Sequence, residues 1–90
     1  MRKVLVVDDE FLVRVGIKSF LNWEENGYTI IGEAADGKQA LEIMERELPD
    51  VVLTDLKMDG MDGFELIQVS RKRFPTVQFV VLSSFEDGEN

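Results

Sequence analysis

The stretch VVLTDLKMDGMDG, residues 51–63, joins a short apolar run to a loop that contains three aspartates and two glycines. Its first four residues, VVLT, are apolar or β-branched, which is typical of a strand buried on both faces of a parallel sheet. With Asp50, four carboxylates fall within residues 50–62, although like charges repel one another. A hard divalent cation relieves such repulsion by taking oxygen ligands. The stretch therefore predicts a buried strand that ends beside a candidate cation site.

The sequence around this stretch alternates between strand-like and helix-like patterns. Apolar runs predict strands at residues 4–7, 29–34, 51–54 and 77–84, and amphipathic segments predict helices at residues 10–21, 36–48 and 63–74. Pro49 and Pro75 close the second and third helices. This alternation predicts an α/β fold in which right-handed crossovers connect the strands of a doubly wound parallel sheet. We expect residues 1–90 to form one domain.

Apolar residues at helical spacing predict which side of each helix faces the sheet. In the first helix they are Phe11, Leu12, Val15 and either Phe20 or Leu21, and in the second they are Ala40, Leu41, Met44 and Leu48.

The composition excludes several classes of function. The chain carries 18 acidic and 10 basic residues, a formal net charge of −8, which argues against binding to nucleic acid or to an anionic membrane. It contains no cysteine and no histidine, so disulfides, thiol nucleophiles, imidazole bases and zinc sites built on these residues are excluded. The apolar run near the amino terminus is too short for a signal peptide, and none reaches transmembrane length. We expect a cytoplasmic location.

Polar residues follow the strands at the ends that share one edge of a parallel sheet. Asp8 and Asp9 follow the first strand, Asp55 follows Thr54 in the third, and Ser83 lies at the end of the fourth. Ligands of open α/β sheets bind at this edge. If the first and third strands are neighbours, the three carboxylates converge there, and we expect them to hold Mg²⁺. A carboxylate beside Mg²⁺ can act as a nucleophile towards phosphorus and form an aspartyl phosphate.

Simpler roles exist for the same residues. Asp9 can cap the first helix, as aspartates commonly do. The aspartates and glycines of the loop, including Asp59 and Asp62, can be explained by turn chemistry alone. The case for a functional site depends on the common position of the polar residues at strand ends.

Three motifs, VLVVDDE, VVLTDLKMDGMDG and VVLSS, resemble in order and spacing the receiver domain of bacterial two-component response regulators. The segment VRVGIKSFLNWEENGYTIIGEAADGKQALE is similar to receivers attached to AraC-type DNA-binding output domains. The resemblance implies a flavodoxin-like fold with strand order 2-1-3-4-5. It also implies that a sensor histidine kinase donates a phosphoryl group, which changes an output surface and so regulates transcription.

The resemblance also implies a role for each site residue. Asp55 becomes the phosphoacceptor, and Asp9 becomes a direct Mg²⁺ ligand together with Asp55 and the backbone carbonyl of Lys57. Asp8 acts on the metal mainly through water, and Ser83 supplies the hydroxyl that turns towards the phosphoryl group. Such a domain is not a turnover enzyme, since it catalyses only its own phosphorylation and dephosphorylation.

The sequence departs from the family pattern in two places. Asp59 stands where the family usually has proline, so that loop is expected to be looser. The ninety residues stop before the family's fifth strand and last two helices. They therefore also lack the lysine that contacts the phosphoryl group in the family and the family's switch aromatic. We expect the fourth strand to form an exposed apolar edge that promotes self-association or poor stability. Two alternatives stay open: an inert fragment that acts only in protein association, and a small Mg²⁺-dependent phosphohydrolase.

Overall fold

The computed structural model describes residues 1–58 and 60–82. Within these described residues, four strands alternate with three α-helices. They are β1 (Arg2–Val7), α1 (Phe11–Phe20), β2 (Tyr28–Ala34), α2 (Gly37–Arg46), β3 (Val51–Asp55), α3 (Gly63–Arg73) and β4 (Gln78–Leu82), with a 3-10 turn at Glu24–Asn26. All strand pairs are parallel, and the sheet order is β2-β1-β3-β4. The predicted α/β fold with a doubly wound parallel sheet is confirmed.

The strand order reverses between β1 and β3. Because β2 and β3 lie on opposite sides of β1, the crossovers run in opposite directions and place α1 on one face of the sheet and α2 and α3 on the other. At the carboxyl ends of the two central strands, Val7 pairs with Thr54. The residues that follow Val7 therefore emerge beside Asp55, at the switch point where such sheets bind ligands.

The core lies in two layers, one on each face of the sheet. Alternation along β1 sends Leu5 and Val7 to one face and Val4 and Val6 to the other. The larger layer packs under α2 and α3 and consists of Leu5, Val7, Ala34, Ala40, Leu41, Met44, Val52, Leu66 and Val77. The smaller layer, under α1, has three buried members, Val4, Val6 and Val51.

Aspartates begin both helices of the larger layer. The Asp36 carboxylate accepts a hydrogen bond of 2.8 Å from the Gln39 amide, and the Asp62 carboxylate accepts one of 3.0 Å from the Glu65 amide. Each side chain satisfies an amide that has no partner inside its helix. The local role considered for Asp62, as the residue leading into a helix, is the one the structure shows.

Two of the predicted helical stripes differ from the structure. The α1 prediction is wrong about the side that packs, because Phe11, Leu12 and Phe20 are exposed and Ile17 contacts the core instead. In α2 the helix ends at Arg46, so Leu48 lies beyond it and is 46% exposed. A proline at position 49 disfavours helical geometry in the residue before it, which ends the helix early.

Asp50 lies at the edge of the sheet opposite to Asp55. Its carboxylate accepts a 2.7 Å hydrogen bond from the Lys3 amide, and its own amide donates to the Lys3 carbonyl at 2.8 Å. Its carbonyl accepts from the Gln78 amide at 3.0 Å. Asp50 therefore connects the beginnings of three strands. This residue is close to Asp55 in sequence but lies at the opposite edge of the sheet.

Among the described residues, no helix combines the length and the apolar character that crossing a bilayer requires.

Candidate functional site

Three carboxylates converge at the carboxyl ends of β1 and β3. One carboxylate oxygen from each of Asp8, Asp9 and Asp55 lies within 4.8 Å of the other two. Asp8 is buried, Asp55 is half-buried and Asp9 is exposed, so the cluster opens to solvent on the Asp9 side. The predicted convergence of these three side chains is therefore what the structure shows.

Burial raises the pKa of the Asp8 carboxyl above its ordinary value of 3.8. A hydrogen bond from the Glu10 amide, at 2.8 Å, acts in the opposite direction, and the nearby charges of Asp55, Asp9 and Glu10 add to the rise. The charged form of Asp8 is therefore disfavoured where no cation is bound. The same geometry shows that the alternative role for Asp9 is wrong, because the cap position of α1 is Glu10 and it is the Asp8 side chain that accepts from Glu10.

Asp55 is the last residue of β3, and its side chain turns back onto its own loop. One Asp55 carboxylate oxygen accepts from the Lys57 amide at 3.3 Å. Lys57 also lines an open pocket of about 440 Å³ beside the cluster, together with Asp9 and Phe64. The backbone of Lys57 therefore lies next to the carboxylates, at the position from which the resemblance takes a carbonyl ligand.

The start of α3 packs directly against the backbone of Asp55. The Gly63 amide donates to the Leu56 carbonyl at 3.1 Å, and a Cβ atom at Gly63 would lie 2.3 Å from the Asp55 carbonyl oxygen. Only glycine allows this approach. Turn chemistry explains Gly60, whose φ is +73°, but Gly63 has a further role because it determines how closely the helix supports the phosphoacceptor candidate.

The same loop also contacts the beginning of α2. The Gly37 amide donates to the Met61 carbonyl at 3.0 Å, and a Cβ atom at Gly37 would lie 2.9 Å from that carbonyl oxygen. Two glycines that begin helices thus bring the acidic loop against both α2 and α3. The sequence contains these glycines, but their close contacts depend on residues distant in the chain.

A basic side chain reaches the cluster from α1, and sequence reasoning missed it. Arg14 donates through its guanidinium to the Asp8 carbonyl at 2.5 Å and to the Glu33 carboxylate at 2.6 Å. Lys18 donates to the other oxygen of Glu33. These two cations lower the pKa of the Glu33 carboxyl below its ordinary value of 4.5. No motif marks the set, because its members belong to α1, β2 and the loop after β1.

Ser83, the predicted switch hydroxyl, lies outside the described residues, as does Asp59.

The chain is similar to proteins of known family. Residues 4–90 match the response regulator receiver domain family. The chain belongs to this family. Receiver domains are the phosphoacceptor parts of two-component systems, they interact with histidine kinases, and they are not enzymes in the usual sense of substrate turnover. The fold and the resemblance drawn from three sequence motifs are both confirmed.

The relatives include transcriptional regulators. YesN, an uncharacterized transcriptional regulatory protein of Bacillus subtilis (strain 168), is 43% identical over 89 residues, which cover 99% of this chain and 24% of YesN. The REC domain of AraT, a response regulator from Geobacillus stearothermophilus, superposes with a TM-score of 0.89 at 35% identity and covers 98% of this chain and 68% of that one. The chain therefore spans about a quarter of YesN but two thirds of an isolated receiver domain.

A more distant neighbour was solved with a phosphoryl mimic. The isolated REC domain of RcsB from Salmonella enterica serovar Typhimurium, in the presence of phosphomimetic BeF3⁻, superposes with a TM-score of 0.79 at 28% identity. That match covers 89% of this chain and 59% of the RcsB domain.

Proposed function

We propose that this chain is a Mg²⁺-dependent phosphoacceptor module in which Asp55 receives a phosphoryl group from a sensor histidine kinase. The observation that carries the proposal is the convergence of Asp8, Asp9 and Asp55 within 4.8 Å at the switch point of the sheet. Family membership supports the same chemistry, as does a related receiver domain whose structure was solved in the presence of a phosphomimetic.

The donor set fits Mg²⁺. All three side chains offer oxygen, the ligand that hard divalent cations prefer, and their repulsion gives the site a reason to bind one. Asp9, Asp55 and the Lys57 carbonyl would hold the ion directly, and Asp8 would act through water. When bound, Mg²⁺ neutralises negative charge on the carboxylates and on the phosphoryl oxygens.

The residues of the chain have separate roles in transfer. An Asp55 carboxylate oxygen forms a bond to phosphorus while the bond from phosphorus to the kinase imidazole breaks, and the leaving nitrogen keeps the electron pair and takes up a proton. The close packing of Gly63 restrains the Asp55 backbone, and the Lys57 amide hydrogen-bonds to the Asp55 carboxylate itself. Fixed orientation is a main contribution of the protein to phosphoryl transfer.

The remaining expectations belong to the same proposal. Residues 1–90 act as one receiver unit in the cytoplasm, Ser83 contacts the phosphoryl group, and an output domain elsewhere in a longer protein regulates transcription. The similarity to YesN and to AraT supports an output of this kind, because YesN is named a transcriptional regulatory protein and AraT a response regulator. The acidic receiver itself does not bind nucleic acid or membrane.

Phosphorylation is tested by the intact mass of the protein after incubation with Mg²⁺ and a small phosphodonor. We expect one added phosphoryl group in the wild-type chain and none after Asp55→Asn. Asp62→Asn is the matched control, because it makes the same chemical change in the same loop and asparagine caps helices as well as aspartate does. Absence of the adduct, or an equal loss in both variants, would contradict the proposal.

Protein association is a second candidate function for this ninety-residue chain. Within the described residues β4 pairs only with β3, and Val80 and Val81 are 47% and 42% exposed. An apolar edge strand of this kind can pair with another chain. We expect sedimentation velocity to show a concentration-dependent dimer that Val80→Lys weakens. A monomer at high concentration in the wild type would exclude association through β4.

A further inference from the structure

Arg14 connects three elements around the acidic cluster. Its backbone belongs to the first turn of α1. Its guanidinium donates to the Glu33 carboxylate on β2 and to the backbone carbonyl of Asp8, the first residue of the loop after β1. The side chain is 13% exposed, so these contacts lie largely out of solvent. We propose that Arg14 is a positioning residue for the metal site, acting through the peptide unit that joins Asp8 to Asp9.

The link from Arg14 to Asp9 runs through a planar group. The Asp8 carbonyl and the Asp9 amide belong to one peptide plane, so any rotation of that carbonyl also rotates the backbone from which the Asp9 side chain projects. The other end of Asp8 is already held, because its amide donates to the Ala34 carbonyl at 3.0 Å. Arg14 holds the remaining end, at the point where the chain leaves the sheet.

Glu33 fixes Arg14 in turn. It lies on β2, one residue before Ala34, and its two oxygens accept from Arg14 and Lys18. The guanidinium is therefore oriented by a carboxylate on a rigid strand and directed at a carbonyl next to the cluster. Residues that orient ligands in this way commonly change metal affinity about 10–100-fold when they are mutated.

Electrostatics alone makes the opposite prediction. Removing a cation near three carboxylates strengthens the binding of another cation, and the Glu33 charge, then paired with Lys18 alone, adds to that effect. Positioning predicts weaker binding after the same change. The sign of the effect therefore separates the two explanations. Lys18 offers a matched control, because its ammonium group pairs with the same Glu33 carboxylate. Within the described residues, Lys18 makes no hydrogen bond to the Asp8 carbonyl.

The experiment measures the Mg²⁺ dissociation constant by amide NMR shifts at the ends of β1 and β3, with urea unfolding of each variant as the check on folding. The proposal rests on the proposed function, since it assumes that the cluster binds Mg²⁺. We expect Arg14→Met to weaken Mg²⁺ binding by about tenfold, at the low end of the usual range. Lys18→Met should leave binding unchanged or slightly tighter. Arg14→Lys, which keeps a donor and the charge, should lose less than Arg14→Met.

The outcomes separate this inference from the proposed function. If the wild-type chain does not bind Mg²⁺, both are overturned. If it binds Mg²⁺ and Arg14→Met binds as tightly as Lys18→Met or more tightly, only the positioning role is overturned. If Arg14→Met does not fold, Arg14→Lys decides: weaker binding than in Lys18→Met supports the role, and equal or tighter binding contradicts it.

Discussion

The two faces of the sheet are covered in different ways. On one face, α2 and α3 bury Leu41, Met44 and Leu66 against the sheet, and each helix is capped by an aspartate. On the other face, α1 has no buried residue, and the structure records no side-chain cap at its start. Its largest apolar side chains, Phe11, Leu12 and Phe20, point to solvent.

The difference shows that the same kind of element is held by different forces in one small domain. The α2–α3 layer is held by apolar burial, which is strong and independent of pH. The α1 helix contacts the sheet mainly through Ile17 and through the ion pairs of Arg14 and Lys18 with Glu33. Apolar and charged contacts respond differently to mutation and to pH, so the comparison can be tested directly.

The largest expected effect comes from leucines on the two faces. Leu66 in α3 is fully buried, whereas Leu12 in α1 is 78% exposed. Leu66→Ala should lower the free energy of unfolding by about 2–5 kcal/mol, because it removes buried apolar volume and leaves a cavity. Leu12→Ala should change it by less than about 0.5 kcal/mol. Urea unfolding followed by circular dichroism measures both, and similar losses would mean that α1 packs as α3 does.

Two glycine-to-alanine substitutions, one on each face, should change the free energy of unfolding by smaller amounts and in opposite directions. A Cβ atom at Gly63 would collide with the Asp55 carbonyl, while one at Gly16 in α1 meets no atom within 4 Å. Gly63→Ala should cost about 1–3 kcal/mol of unfolding free energy through this overlap. Gly16→Ala should add about 0.5–1 kcal/mol, because alanine is the better helix former. Equal signs in thermal unfolding would contradict the difference between the faces.

The smallest effect concerns two carboxylates with opposite pKa shifts. The folded pKa of Glu33 is lowered below 4.5, so its contribution to stability is present above that pH and is lost as the pH falls through the folded value. The folded pKa of Asp8 is raised above 3.8, so its contribution is present below that pH and is lost as the pH rises through the folded value.

Neutral variants report the two contributions separately. In metal-free buffer at pH 7, Glu33→Gln should be less stable than wild type, by no more than about 1 kcal/mol for a partly exposed pair. Asp8→Asn should be more stable than wild type at the same pH. Both differences should shrink towards pH 3. Unfolding midpoints across this range measure them, and differences that do not change with pH would show that neither carboxylate acts through its charge.

Most of the fold could be predicted because local pattern and global topology agree. The run VLVV is typical of a strand buried on both faces and lies in the centre of the parallel sheet, and each proline follows a helix closely. The α1 stripe was predicted wrongly because periodicity shows that a helix has an apolar side but not which surface covers it. Phe11 and Phe20 satisfy the spacing and are nevertheless exposed.

The site was predictable to the extent that it depends on strand ends. Asp8, Asp9 and Asp55 meet because β1 and β3 are neighbours, an adjacency that the resemblance to receiver domains implies and that the alternation of elements alone does not. Arg14 and Glu33 could not be predicted, because their contact depends on how α1 is rotated above β2. The role of Gly63 could not be predicted either, since a close approach to Asp55 looks the same in sequence as an ordinary turn.

Asp50 has a consequence for how the chain folds. Its hydrogen bond to Lys3 joins residues 47 positions apart in the chain. The strands that pair with β1, namely β2 and β3, are each connected to it through at least one helix. Pairing of β1 with β3 therefore closes a loop of more than forty residues, and long-range pairing of this kind slows folding. Because Asp50 bonds to the beginnings of both β1 and β4, its contacts are compatible with one register of β1, β3 and β4. An aspartate that takes no part in the carboxylate cluster thus helps to specify how the strands pair.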